Sequence, residues 1–507
     1  MKQTMMAQRC FFFVLGVTGL IFPAMSSAAE PIDIGSRREL FVDRALVKRL
    51  TGRAEFRLHS PTRREVAIKY DQPWEGNASG YTTVFQDGDI YRMVYRGHRY
   101  LVDSKPLRQA QSEVVCYAES RDGIRWVKPK LGLFAWNGSK ENNIIWLGSP
   151  ETHNFAPFKD TNPNCRPDER YKAIGGTVTS KGLWTFKSAD GIHWSRKSKG
   201  PVVTKGAFDS HNTCFWDAAR GRYVMYVRYF SKANYQGLRS IGVSHSADFV
   251  TWSEPVGLVY PGSPPQQMYT NQVAPYYRAP HILMGFPTRY VARSLNEHGR
   301  HLDPVPLRNR LTKAGRRLGT DLTDGLFMTS RDGRSFHRWD EAFLRPGPQT
   351  EGRWIYGDNY QAYGLWETKS SIPGSPNEIS MLFSEHAWLD DDHRARRYTI
   401  RLDGFVSLHA PLAGGELMTH SVKFTGRRLS MNYSTSAAGS VRVEIQDASG
   451  KPLSGYSLND CLEHYGDSVE QIVAWKGGSD LTALVGRPLR LRFVLKDADL
   501  YSFRFVE

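Results

Sequence analysis

Between about residue 40 and residue 410 the chain repeats one order of side chains. A segment opens with polar residues, turns apolar, breaks at a turn and resumes as a run rich in Tyr, Val, Met and Ile. GYTTVFQDGDIYRMVY (80–95), HNFAPFKD (153–160) leading to RYKAIGG, and FDSHNTCFWDAARGRYVMYVR (208–228) follow it. So do YTNQVAPYYRAPHILMGF (269–286) and YGDNYQAYGLWET (356–368), the latter leading to EISMLFSE. Short β-branched and aromatic runs separated by turns predict strands, and no helical periodicity of any length competes. Five such units in series predict an all-β fold built as a five-bladed β-propeller over residues 30–410. A radial arrangement explains the polar openings, because the innermost strand of each blade starts at a water-filled axial funnel and continues into packed sheet.

A second repeat lies between these units: SRDGIRW (120–126), SADGIHW (188–194), SADFVTW (246–252) and SRDGRSF (330–336). Asp-Gly supplies a tight turn, Ser or Asp bonds the turn's own backbone, and the closing aromatic fits a gap between sheets. The motif reads as structure and not as catalysis. After HAPLAGGELMTH (409–420) the pattern changes to clean alternation. SVRVEIQ (440–446) sets Val441, Val443 and Ile445 on one face against Arg442, Glu444 and Gln446, and LRLRFVL (489–495) and YSFRF (501–505) alternate likewise. Half-buried antiparallel strands of this kind predict a β-sandwich over residues 411–507.

The first 29 residues belong to neither unit: Lys2 and Arg9, the apolar FFFVLGVTGLIF and the small residues SSAA have the layout of a secretory signal peptide. The expectation is a secreted or periplasmic protein with no membrane span. The remaining cysteines, Cys116, Cys165, Cys214 and Cys461, are far apart and form no disulfide framework, although one bridge is open to them. Cys116 and Cys214 fall in strand-like runs and are expected as buried thiols. The formal charge is +16, and Arg293, Arg300, Arg308, Arg310, Lys313, Arg316 and Arg317 concentrate part of it in one stretch. No basic–aromatic nucleic-acid module accompanies them. That stretch reads either as attraction to an anionic glycan or as a solvated basic loop.

A polar, aromatic-rimmed funnel in an exported all-β protein points to carbohydrate as the partner. Glycoside hydrolysis needs two carboxyl groups, one to protonate the leaving oxygen and one to attack or to activate water. Asp209, Glu75 and Asp358 are the catalytic candidates, with Asp160 and Glu385 further out. Glu75 follows Trp74, whose apolar surface would favour a protonated acid. His153, Asn154, His211, Asn212, Asn271, Gln272 and Asn359 are the substrate-binding candidates, and Asn recurs near the start of every unit. An Asn amide both donates and accepts, which suits a hydroxyl-rich ligand; capping strand ends and tying one blade to the next is the alternative. Arg278 and Arg289 could hold a sugar carboxylate or sulfate in a planar fork, or bridge blades. No cofactor or metal is required.

The SxDGxxW turns, the five-unit layout and the C-terminal alternation resemble the five-bladed β-propeller glycoside hydrolases of families 32, 43 and their relatives. The ending GRPLRLRFVLKDADLYSFRF (486–505) is similar to that of exported proteins described only as glycosyl-hydrolase-like. The resemblance implies a glycosidase with acidic residues on the first three blades: Asp, Asp and Glu. Here those positions hold Glu75, then His153 and Asn154, then Asp209, so only Asp209 stands where a catalytic acid is implied. A carbohydrate-binding propeller without catalysis is the alternative function. Phosphorolysis or elimination, with Arg278, His153 and His211 on a phosphate or uronate, is a third.

Overall fold

The computed structural model describes residues 30–232, 236–293, 296–390 and 392–507; the leader expected over 1–29 lies outside them. The four SxD turns share one hydrogen-bonding scheme. In the first, Asp122 Oδ1 accepts from the backbone N–H groups of Ile124 at 2.9 Å and Arg125 at 2.8 Å, while Ser120 Oγ accepts from Gly123 N at 2.9 Å. Ser188 with Asp190, Ser246 with Asp248, and Ser330 with Asp332 repeat the scheme. Each turn ends the third strand of a four-stranded antiparallel sheet.

The described residues form five such sheets. Their innermost strands are Gly80–Asp87, Ala156–Lys159, Thr213–Asp217, Ala274–Tyr276 and Trp366–Thr368. Apolar side chains fill the gaps between successive sheets. Val94 and Tyr117 of the first meet Ala173 and Phe186 of the second. Ile174 of the second meets Cys214 and Met225 of the third, and Val224 and Tyr226 of the third meet Leu283 and Met328 of the fourth. Ile282 and Met284 of the fourth meet Ile379 and Met381 of the fifth, whose Trp366 and Leu382 pack back on Met93 and Tyr95 of the first. Each fully buried aliphatic or aromatic side chain contributes about 1.5–3 kcal/mol, so these gaps hold the sheets together. The outer strand of the fifth sheet, Thr62–Lys69, comes from the N-terminal side of the whole series and pairs with Arg394–Arg401.

Besides two small sheets of three and two strands, the described residues form a ten-stranded sheet. Its long hairpin pairs Arg428–Asp447 with Leu489–Val506, setting Val443 opposite Phe493 and Ile445 opposite Leu491. Val441, Val443 and Ile445 are buried as their alternation predicts, but Glu444 and Gln446 on the opposite face are buried too. Gln446 donates to Glu444 at 2.7 Å, and Leu458 N from the crossing loop donates to Glu444 at 3.1 Å. Strand pairing crosses residue 410: Ile32–Gly35 pairs with Val422–Phe424, Val47–Gly52 with Gly415–Thr419, and Val406–Ala410, itself paired with Glu55–Leu58, with Leu489–Val506.

Helix is present where none was expected. Glu297–His301, Val305–Ala314 and Arg316–Thr320 form an insertion within the basic stretch. Val305–Ala314 buries Leu307 and Leu311 one turn apart, too few apolar positions for a period to stand out from the sequence. The four cysteines among the described residues are free thiols, and Cys116, Cys214 and Cys461 are buried. No helix among the described residues is long and apolar enough to cross a membrane.

Candidate functional site

The polar starts do converge. A pocket of about 180 Å³ opens at the end of the sheets where the innermost strands begin, and each of the five units lends it a side chain. Tyr81 and Arg96 come from the first sheet, His153, Asp209 and Tyr269 from the segments entering the second, third and fourth, and Tyr356 and Tyr360 from the segment entering the fifth. Trp388 and Arg317 complete the wall, the latter carried in by the helical insertion.

Asp209 is the one carboxylate among the described residues lining this pocket, and its side chain is 58% exposed. Its Oδ1 lies 3.3 Å from His153 Nε2, while His153 Nδ1 lies 2.9 Å from Glu113 Oε2. Arg96 stands behind this line, donating to Asn154 Oδ1 at 2.8 Å and to the Ala78 carbonyl at 2.7 Å, with its guanidinium 4.6 Å above the Tyr81 ring. The enclosing pocket walls work against charge on both partners. Their effect is outweighed at Asp209 by the His153 bond and by Arg228, His153 and Arg96, which hold its carboxyl well below the ordinary range. Burial likewise pulls His153 down, but Glu113 and the bond to Asp209 raise it to about 9, so the imidazole is protonated at neutral pH.

The aromatic wall is continuous. Ring centres are 6.1 Å apart for Tyr81 and Tyr360, 5.4 Å for Tyr360 and Tyr269, and 5.8 Å for Tyr269 and Tyr356. Tyr356 stacks on Trp388 at 6.3 Å. Rings in this arrangement present flat apolar faces beside hydroxyl groups, a surface that suits the two faces of a sugar ring.

The other expected site residues lie elsewhere. Glu75 is fully buried and bound by Tyr95 OH at 2.6 Å, Lys128 Nζ at 2.6 Å and Gln72 N at 3.0 Å, so it faces no ligand. Asp358 is buried next to the pocket wall and accepts from Ala387 N at 3.0 Å, and burial pushes its carboxyl up to about 7. Asp160 accepts from Tyr223 OH at 2.7 Å and forms an ion pair with Lys172; Glu385 is surrounded by Arg63, Arg353 and Arg396. The asparagines tie strand to strand: Asn154 donates to the Ser210 carbonyl, Asn212 accepts from Arg228 N, Asn271 donates to His211 and Tyr226, and Asn359 to Thr323.

His211 is sealed between Thr83 Oγ1 at 3.3 Å and Gln272 Nε2 at 3.0 Å, and burial with the nearby Arg96 charge lowers its imidazole to about 3. Gln272 lines a different cavity, of about 1080 Å³, which does not contain Asp209. Arg278 bonds Asp403 at 2.9 Å and Arg289 bonds Asp324 at 2.8 Å, the bridging use of each fork. Of the expected residues, the structure therefore brings Asp209 and His153 together in the pocket.

Glu113, Arg96, Arg228, Tyr81, Tyr356 and Tyr360 were not singled out from the sequence. One signal was available for the arginines: the apolar runs YRMVYR (91–96) and YVMYVR (223–228) both end in Arg, where a charge inside a sheet needs a partner at the strand's end. Among the described residues, no cluster of three or more His, Cys, Asp or Glu is arranged to hold a metal ion.

No protein-family profile matches the chain, and no curated protein matches it. Solved structures overlap it in chain path. A glycosyl hydrolase from Bacteroides ovatus does so at TM-score 0.42 and 12% identity, over 68% of this chain and 94% of its own. An N-acetylgalactosamine deacetylase from F. plautii, in complex with blood group B trisaccharide, overlaps at TM-score 0.39 and 16% identity, over 68% and 94%. A fructofuranosidase from Schwanniomyces occidentalis, complexed with fructosylnystose, overlaps at TM-score 0.35 and 11% identity, over 90% and 99%. Overlap of this order carries no inference about chemistry.

Proposed function

We propose that the five four-stranded sheets are the blades of a five-bladed propeller with an appended β-sandwich, and that the exported protein works on a glycan at the Asp209 pocket. One observation carries the functional part: the one carboxylate among the described residues lining the pocket lies 3.3 Å from a histidine, in a pocket of about 180 Å³ walled by tyrosines. Two-carboxyl hydrolysis places its acids about 5–9.5 Å apart across the sugar. Here the second proton-handling group is His153, on the same side as Asp209. In a hydrolysis through this pair the glycosidic C–O bond breaks, the departing oxygen takes the proton from His153 Nε2, and water deprotonated by Asp209 adds to the anomeric carbon.

A screen of neutral and anionic polysaccharides with wild type and Asp209→Asn tests the reading. Turnover by wild type that falls by about 10²-fold or more in the variant, with binding retained, supports it. Binding without turnover in both proteins leaves a carbohydrate-binding propeller without catalysis. That second reading is favoured by the engagement of Glu75 and Asp358 with the protein's own groups.

A further inference from the structure

We infer that the sugar taken by the Asp209 pocket carries an oxyanion, a carboxylate or a sulfate ester, and that Arg317 is a residue selecting for it. The inference rests on the glycan reading above and adds the chemical class of the substrate.

Its basis is how the cations around the pocket are paired. The two carboxylates at the site, Asp209 and Glu113, are both engaged by His153. Three further arginines lie on aromatic rings instead. The Arg228 guanidinium is 3.9 Å from the Tyr269 ring centre, Arg239 is 4.4 Å from that of Tyr290, and Arg317 is 5.0 Å from that of Tyr356. Their polar partners are neutral: Arg228 donates to the Tyr269 carbonyl at 3.2 Å and Arg239 to Gln267 at 2.8 Å. Arg228 is 6% exposed, and its Nε has no partner among the described residues, as is also true of Arg96 Nε and Arg239 Nε.

A guanidinium stacked on a ring keeps its N–H edges available, and those edges match a planar carboxylate or a sulfate. Gathering positive charge in a partly dry site in excess of its two carboxylates costs stability. A bound anion would offset that cost, and the surplus charge would also draw anionic chains toward the mouth. Arg317 is the member of this group that lines the pocket and reaches solvent. It is delivered by an insertion between strands Thr288–Val291 and Leu322–Gly325, whose Leu318 also forms part of the wall. The basic stretch therefore contributes its last arginine to the ligand site.

Titration calorimetry of wild type and Arg317→Gln against three sets of oligosaccharides tests this: uronates, sulfated sugars, and the neutral counterparts of each. Thermal melting of both proteins verifies that the variant is folded. Wild type is expected to bind at least one anionic set about tenfold or more tighter than its neutral counterpart, a difference of about 1.4 kcal/mol. The variant should lose most of that difference, and added salt should weaken only the anionic complex. Comparison of the uronate and sulfate arms identifies the oxyanion. Equal or better binding of neutral sugars by wild type, or a preference unaltered by Arg317→Gln, overturns the inference and leaves the glycan reading standing. Binding of no oligosaccharide in any set overturns both.

Discussion

Asp209 and Asp358 carry the same side chain into opposite surroundings, and the difference decides which of them holds a charge at neutral pH. Asp209 faces the pocket beside His153, Arg228 and Arg96 and stays ionised. Asp358 has no exposed surface, and its Oδ2 has no partner among the described residues; burial lifts its carboxyl from 3.8 to about 7 against the pull of Arg353. A carboxyl whose folded value lies above its unfolded one contributes its full stability below pH 3.8 and loses it as pH rises through about 7. A shift of this size amounts to on the order of 4 kcal/mol. Asp358→Asn should therefore match wild type in melting temperature at pH 4, then exceed it increasingly up to pH 7 and hold that lead at pH 8. Equal pH profiles for the two proteins would show that Asp358 titrates normally. Glu75 gives a second contrast. Removing the buried carboxylate takes away the nearer of two acidic partners of Lys128, leaving Asp71 at 3.1 Å, and empties a site that Tyr95 OH and Gln72 N donate into, at a cost of about 3 kcal/mol. Glu75→Ala should lower the urea midpoint accordingly without altering the affinity of the folded protein for its glycan, whereas a catalytic Glu75 would show intact stability and lost turnover.

At the scale of the element, the SxD turns show how a short pattern fixes a contact between sheets. Gly123 sits at φ +70° under Trp366 of the fifth sheet, and an added Cβ would stand 2.7 Å from Trp366 Nε1, which donates to the Gly123 carbonyl at 3.0 Å. Gly221 has a similar φ of +62° but open space around it. Gly123→Ala should cost about 2 kcal/mol or more, and Gly221→Ala about 1 kcal/mol, since the second pays only the backbone term. Equal costs in chemical denaturation would mean that the Trp366 contact is not maintained in solution. These turns were legible because their chemistry is local: Ser, Asp and Gly satisfy one another within four residues. The asparagines misled for a related reason. An Asn at a strand's start can face a ligand or a neighbouring carbonyl, and the choice depends on a strand about 60 residues away, as for Asn154 with Ser210 or Asn271 with His211. Tyr81 and Tyr356, which do face the pocket, open their units just as regularly, but aromatic residues at strand starts are too common to be informative.

At the scale of the whole molecule, repeated polar-to-apolar order predicted sheets in series, and successive gaps packed with apolar side chains are what the structure contains. The path of the N-terminal segment was not legible, because its strands are two to eight residues long and their pairing partners lie more than 300 residues away. That path makes the two parts of the molecule interdependent. Ile34, Phe41 and Leu46 are buried in the same cluster as Leu417, Val443 and Phe493, while the next strand, Thr62–Lys69, closes the fifth four-stranded sheet. A chain cut after residue 410 would leave Val47–Gly52 without Gly415–Thr419 and expose the apolar face of Ile34, Phe41 and Leu46 to water. Unpaired strand edges beside exposed apolar surface favour aggregation. Residues 30–410 expressed alone should therefore be insoluble, or soluble only as an aggregate by light scattering. The intact protein, by the same coupling, should unfold in a single calorimetric transition, because neither part keeps its core when the other is lost. A monomeric 30–410 fragment with native-like near-ultraviolet dichroism, or two resolved transitions in the whole protein, would mean that the shared N-terminal strands do not couple the parts.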